Sequence, residues 1–371
     1  MPKNIFSRVE EGAIFRDEKF LYPEFVPERL PFRDPQIDEM VHSFQPVLKG
    51  GKPQNLFVSG PSGTGKTVTV KYVLRELEEF SDRAKGLYLN CFEFNTRQAV
   101  LNKLCSFMGH PVPRRGIATD EVYNEFLTAL KKSTFTPIVI LDELDQLLPN
   151  GMASAILYDL LRVVEFQKST LGVVIIANDP VLTTKLDSRV RSSLLHSPIE
   201  FVSYGPQQLK EILRERAKYA FLDNVIEPDV INLAAAHASK NSGDARLAIE
   251  SLLRAGRIAE RAGKETVSVE HLREAFDSIH SRVLDKAKDF LEPEEKEILK
   301  ILSREPELTT GKLFEQFSKK NKLSDRTFRK KVNHLEQMNL IQITPLEKGV
   351  RGKTRLVKLA QSKEEIENVL K

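Results

Sequence analysis

Gly60-Pro61-Ser62-Gly63-Thr64-Gly65-Lys66-Thr67 follows the apolar run Leu56-Phe57-Val58-Ser59 and leads straight into Val68-Thr69-Val70-Lys71-Tyr72-Val73-Leu74. A strand, a glycine-rich turn and a helix in that order build a phosphate-binding loop. Glycines at 60, 63 and 65 let the backbone curl with its N–H groups inward, so that amides and the positive end of the next helix hold a triphosphate. Lys66 is expected to reach the terminal phosphates and the Thr67 hydroxyl to bind Mg2+. A glycine-rich turn alone can match by chance; the flanking strand and helix give this one its meaning.

About 75 residues on, Pro137-Ile138-Val139-Ile140-Leu141-Asp142-Glu143 is an apolar strand ending in two carboxylates. A buried parallel strand delivers acids to its C-terminal edge, where phosphates and metal sit. Asp142 is the expected Mg2+ partner of Thr67, and Glu143 the base that orients and deprotonates the attacking water. A further buried strand, Gly172 to Ala177, ends at Asn178. Beside the carboxylates Asn178 would bond both the γ-phosphate and the water; standing alone it would read as a turn residue. Arg189 and Arg191 follow on a helix-like segment, ahead of a further strand expected around Ile199 to Val202. Either could stabilise charge on a neighbouring subunit's γ-phosphate, or be an ordinary surface arginine.

On the N-terminal side, residues 1–36 mix Phe15, Phe20, Tyr22, Phe25 and Phe32 with Pro23, Pro27, Pro31 and Pro35. Residues before proline resist helix, so this reads as an extended arm, either walling the base pocket or simply packing. On the other side of the loop helix, Arg97 to Met108 and Thr119 to Lys132 are helical, with Thr119 as the expected cap. The proline-bounded turn between them carries Arg114 and Arg115, a candidate DNA contact or an exposed basic loop.

From Pro206 the pattern is helical only, and Gly243-Asp244-Ala245-Arg246 opens the third helix. Arg246 is expected to reach back to the nucleotide, the alternative being an exposed helix charge. Beyond Ala287 come three helices and two strands, the strands at Ile341 to Thr344 and Thr354 to Leu359. On the third helix, capped by Ser324, Phe328, Val332 and Leu335 share one face while Arg326, Lys330 and Asn333 gather opposite. Arg329 on the same helix, and Arg351, Lys353 and Arg355 in and after the hairpin tip, complete the expected DNA contacts. Three helices and a basic hairpin make a winged helix, with the third helix suited to the major groove.

Composition agrees with these divisions. At 371 residues, 41% hydrophobic and 29% charged, the chain is expected to be soluble and to form two or three domains. The net charge of +4 hides a split: residues 281–371 hold 21 Lys and Arg against 15 Asp and Glu, and 317–358 hold 12 against 3. Such local excess is the electrostatic footprint of a nucleic-acid-binding module. No run of about 18 apolar residues exists and no signal peptide is evident, so a cytoplasmic protein without a membrane partner is expected. Cys91 and Cys105 suit neither a disulfide framework nor a zinc site and read as small core residues.

The combination resembles the archaeal replication initiators related to the eukaryotic origin recognition complex and its cell-division-control partner, within the AAA+ ATPases. The most specific elements are residues 60–67, Leu141-Asp142-Glu143-Leu144-Asp145, the strand ending at Asn178, Arg189-Val190 with Ser192-Ser193, Gly243-Asp244-Ala245-Arg246 and the terminal winged helix. The stretch Tyr22 to Arg33 looks like the family's arm, in which Val26, Pro27, Arg29 and Leu30 line the adenine site. Phe32-Arg33-Asp34 departs from the family's usual His-Arg-Glu.

The resemblance implies an α/β fold: an AAA+ P-loop core with a parallel sheet over 1–205, an all-α lid over 206–286 and a winged helix over 287–371. It makes Asn178 sensor 1, Arg246 sensor 2 and Arg189, or nearby Arg191, the arginine finger. The stretch at about 96–132 matches the family's initiator-specific insertion. The implied function is ATP-dependent recognition of duplex origin DNA and recruitment of the minichromosome-maintenance helicase, with ATP/ADP and Mg2+ bound, slow hydrolysis acting as a switch, and other initiator subunits as partners near the nucleoid. The rival readings are a different AAA+ clamp or helicase loader, which needs no winged helix, and a winged-helix transcription regulator switched by ATP.

Overall fold

A computed structural model describes residues 14–113, 116–166, 170–194, 196–319, 321–338, 340–345 and 355–360, with 366 and 370. Arg114, Arg115, Arg351 and Lys353 lie outside the described residues. The chain divides into two units between Leu272 and Arg273.

The first unit is built on a parallel sheet. Its elements run α1 (Asp34–Leu48), β1 (Asn55–Ser59), α2 (Lys66–Phe80), β2 (Ala84–Asn90), α3 (Arg97–Phe107), α4 (Thr119–Lys132), β3 (Thr136–Asp142), α5 (Met152–Phe166), β4 (Gly172–Ala177), α6 (Ser188–Ser193) and β5 (His196–Glu200). The strand order is β2-β3-β4-β1-β5, all pairings parallel. Side chains alternate across each strand, so the sheet buries two cores. Leu87, Leu89, Val139, Leu141, Val173 and Ile175 pack with α3, α4 and α5 on one face. Leu56, Val58, Ile138, Ile140, Val174 and Ile176 pack with α1 and α2 on the other. Cys91 and Cys105 belong to the first core as free thiols.

Register decides where the chemistry falls. Ser59 pairs with Ala177 and Asp142 with Ile176, so β1, β4 and β3 end side by side. The phosphate loop, Asn178 and the two carboxylates thereby share one edge, the crevice where open α/β sheets bind ligands.

The lid helices α7 (Pro206–Ala220), α8 (Pro228–Lys240) and α9 (Ala245–Arg261) follow, then α10 (Val269–Phe290). The N-terminal arm is stapled to this lid. Phe15 bridges Phe221, with the two rings tilted at 30° and 4.9 Å apart, and Arg257 holds the Glu18 carboxylate at 2.9 Å.

The second unit contains α11 (Pro293–Arg304), β6 (Glu307–Thr309), α12 (Thr310–Ser318), α13 (Asp325–Gln337), β7 (Ile341–Pro345) and β8 (Arg355–Leu359). The antiparallel order β6-β8-β7 gives the winged helix a three-stranded sheet, one strand more than the sequence reading. Its core gathers Ile298, Leu302, Leu313, Phe317, Phe328, Val332, Leu335 and Val357.

Two local expectations change. Thr119 is the first residue of α4 rather than its cap; Ala118 holds the cap position with no side-chain bond, and Asp120 and Glu121 in the first turn favour the helix N-terminus instead. The strand expected around Ile199 to Val202 ends at Glu200, with the Phe201 N–H still donating to the Ser59 carbonyl at 2.8 Å as the last rung to β1. Ser324 does cap α13, accepting from Thr327 N–H.

Candidate nucleotide site and nucleic-acid interface

The loop between β1 and α2 takes positive φ at Gly60, Gly63 and Gly65 (145°, 72° and 91°). At Gly60 a side chain is also barred by space, since a Cβ would meet the Phe201 carbonyl oxygen at 2.1 Å. With Gly65 as the N-cap of α2, the helix N-terminus opens onto the loop.

Lys66 Nζ donates to the carbonyls of Gly60 and Pro61 at 2.7 and 2.8 Å and to Asn178 Oδ1 at 2.9 Å. Burial pushes its ammonium down to about 8 against the attraction of Asp142. Thr67 Oγ1 donates to Asp142 Oδ2 at 2.7 Å, and the Tyr88 hydroxyl donates to the same oxygen at 2.8 Å. Tyr88 is held in its protonated form, raised first by burial and then by the Asp142 charge.

Glu143 sits at φ 59°, the left-handed region that a residue with a Cβ rarely enters. Its carboxyl is raised by burial and by the neighbouring Asp142 and Asp145 charges.

Oxygen donors at Thr67 and Asp142 suit a hard cation such as Mg2+. Among the described residues no three His, Cys, Asp or Glu converge on a metal.

These side chains open into a cleft of about 1330 Å³. Val26, Pro27, Arg29 and Leu30 of the arm line it together with Gly63, Thr64, Gly65, Lys66, Thr67, Asp142, Glu143, Asn178 and Arg246. Gly60, Pro61 and Ser62 fall outside the lining, and Ser62 accepts a hydrogen bond from the Arg246 guanidinium. Asp244 caps α9 by accepting from Arg246 N–H, and Ala245 N–H donates to the Gly63 carbonyl at 3.1 Å. Arg189 does not line the cleft; its side chain is 74% exposed and paired with Asp187. Arg191 reaches the Thr184 carbonyl.

The arm is anchored by arginines that the sequence reading missed. Arg75 of α2 donates to the carbonyls of Val26 and Pro27, both at 3.4 Å. Arg216 of α7 donates to those of Phe20 and Phe25 at 2.8 and 3.4 Å. Arg33 and Tyr204 were also missed. They meet behind the loop, 2.9 Å apart. None of these partners lies near the other in sequence, and no local pattern could have paired them.

In the second unit α13 divides as its periodicity requires. Phe328, Val332 and Leu335 are buried, whereas Arg326, Arg329, Lys330 and Asn333 are exposed. Arg329 pairs with Asp325 at 2.7 Å. Lys331 turns instead to Glu292, the N-cap of α11, and His334 to Glu295 in its first turn. Arg355 is exposed at the start of β8. No helix of the described residues is long and apolar enough to cross a membrane.

Comparison with known proteins joins the two units in one family pattern. Residues 50–186 match the family model described as an AAA domain, and 210–277 the Cdc6 AAA+ ATPase-type lid domain. The chain is 36% identical over 372 residues to ORC1-type DNA replication protein 1 of Archaeoglobus fulgidus, covering 96% of this chain and 90% of that one. It is 34% identical over 375 residues to ORC1-type DNA replication protein 1 of Sulfurisphaera tokodaii, covering 98% and 94%. Among solved structures, that of the Aeropyrum pernix ORC1 protein in complex with DNA matches with a TM-score of 0.77 at 30% identity over 97% of both chains. The Aeropyrum pernix ORC2 protein, solved as ADPNP-ADP complexes, shares the fold at a TM-score of 0.71 and 21% identity.

Proposed function

The chain belongs to the ORC1/Cdc6 family of AAA+ DNA replication proteins, and from that premise we propose that it is a nucleotide-switched initiator that binds duplex origin DNA and helps recruit the minichromosome-maintenance helicase. The observation that carries the reading is the convergence of Lys66, Thr67, Asp142, Glu143, Asn178 and Arg246 on one cleft, in a chain that also has a winged helix with a basic exposed face. We assign residues 1–205 to the core, 206–286 to the lid and 287–371 to the winged helix.

In the cleft the loop N–H groups and Lys66 bind the phosphates of ATP or ADP, and Val26, Pro27, Arg29 and Leu30 receive the base. Thr67 and Asp142 would hold Mg2+, which would supply charge neutralisation to the phosphates. Glu143 takes the proton of the attacking water, a task suited to a carboxyl raised by burial. Asn178, already bonded to Lys66, orients that water, and Arg246 reports the phosphates to the lid through α9.

Arg189, exposed and outside the lining of its own cleft, or nearby Arg191, serves the γ-phosphate of a neighbouring subunit, so hydrolysis by an isolated chain is slow. On DNA, Arg326, Arg329, Lys330, Asn333 and Arg355, with Arg351 and Lys353, contact the duplex, and Arg114 and Arg115 of the insertion form a second contact.

Fluorescence anisotropy with a duplex from a replication start of the protein's own host tests the reading. The origin duplex should bind about tenfold or more tighter than a shuffled one, the cost of as little as one mismatched pair. Equal affinities would refute it.

A further inference from the structure

We propose that Arg33 is a positioning residue for phosphate binding, which pins the Thr64 carbonyl from behind and so aims the Gly65 N–H into the phosphate loop. The inference rests on the nucleotide-site reading above. Arg33 is 2% exposed and does not line the cleft. Its Nε and Nη2 both donate to the Thr64 carbonyl, at 3.1 and 2.6 Å. The same guanidinium donates to the Tyr204 hydroxyl at 2.9 Å and the Val202 carbonyl at 3.2 Å, and lies 3.9 Å from the Tyr204 ring centre.

A peptide is planar and trans, so the C=O of Thr64 and the N–H of Gly65 point in opposite directions. Two donors fixed on that oxygen therefore fix the opposing N–H. A loop whose amides all point inward must turn its carbonyls outward, and a buried carbonyl needs a donor. Arg33 supplies it. Gly65 has φ 91°, and a Cβ there would meet the Tyr204 hydroxyl at 2.9 Å, so the same pair also enforces glycine at this position.

Charge adds to geometry. Burying a guanidinium is costly, and among the described residues no carboxylate pairs with Arg33. Its positive charge is left to act on whatever the loop holds. Phe32, immediately before, takes φ 64°, a strained turn for a residue with a side chain and one that delivers Arg33 to the back of the loop. Val202 and Tyr204 belong to the segment between β5 and α7, so Arg33 ties the loop to the entry of the lid.

The test compares ADP with adenosine, which lacks the phosphates, by displacement of a fluorescent ADP analogue from the full chain. Arg33→Lys keeps the charge but loses the paired donors; it should weaken ADP by about tenfold and change adenosine by less than about twofold. Should that variant not fold, Tyr204→Phe keeps the ring and removes one hydroxyl, and should shift the ADP-to-adenosine affinity ratio by about threefold in the same direction. An unchanged ADP affinity, or equal losses for both ligands, would overturn the proposal. Lys66→Ala separates the two levels of inference. If it abolishes ADP binding while Arg33→Lys does nothing, only the positioning role fails; if Lys66→Ala itself leaves ADP bound, the nucleotide-site reading fails and this inference with it.

Discussion

The carboxylate of Asp244 closes on Gly63 so tightly that a Cβ on Gly63 would lie 1.8 Å from Asp244 Oδ1. The cap of lid helix α9 and the phosphate loop of the core are therefore packed against each other without room for a methyl group. Gly63→Ala would add a clash to the strain of φ 72°, together roughly 2–4 kcal/mol. ADP affinity, read by calorimetry, should fall about 30-fold or more. Gly109→Ala is the control: φ is 76° but nothing lies within 4 Å. It should lower the melting temperature slightly and leave ADP affinity unchanged.

Lys66 gives the site a pH dependence of definite sign. Its free-site value of about 8 means that the ammonium is intact below that pH and increasingly neutral above it. Bound phosphates hold the proton on. ADP affinity should be flat below pH 8 and fall above it, by up to about tenfold per unit. Lys66→Arg, which stays charged throughout, should remove the decline. Calorimetry in buffers of different ionisation enthalpy should show proton uptake on binding near pH 9 for the native chain.

Glu143→Gln keeps the shape of the side chain and removes its basicity. ATP should still bind within about twofold of the native affinity, whereas single-turnover hydrolysis should slow by about 10²-fold or more. Equal loss of binding and hydrolysis would make Glu143 a phosphate contact rather than a base.

On α13, adjacent lysines have opposite expectations. Lys330 is exposed, whereas Lys331 is tied to Glu292 and lies 3.8 Å from Glu295. Lys330→Ala should weaken duplex binding and reduce the slope of log affinity against log salt by about 1. Lys331→Ala should leave that slope unchanged, since its charge is already answered within the protein. Identical slopes for both variants and the native chain would move α13 away from the phosphates.

Much of this was legible in the sequence because its signals are local. Residues 60–67, the strand ending at Asp142-Glu143, and the buried and exposed faces of α13 are each set by spacing within a few turns or one strand. What stayed hidden depends on distant segments meeting. Arg33 finds Tyr204 across 171 positions, and Arg216 finds Phe20 across 196. The three-residue strand β6 carries too little pattern to be seen before β8 is placed beside it. Within Phe32-Arg33-Asp34, the stretch that departs from the family's usual His-Arg-Glu, the structure turns Arg33 to the back of the loop, where it bonds Thr64. Asp244 was read as part of a motif leading to Arg246, yet its own carboxylate is what meets Gly63.

The central claim is that this chain marks replication starts, and occupancy of the tagged protein across its host genome tests it most directly. Discrete peaks coinciding with replication starts, and lost when residues 317–358 are deleted, are the predicted result. Peaks spread over promoters with none at replication starts would contradict the initiator and leave a transcription regulator with ATP as its switch.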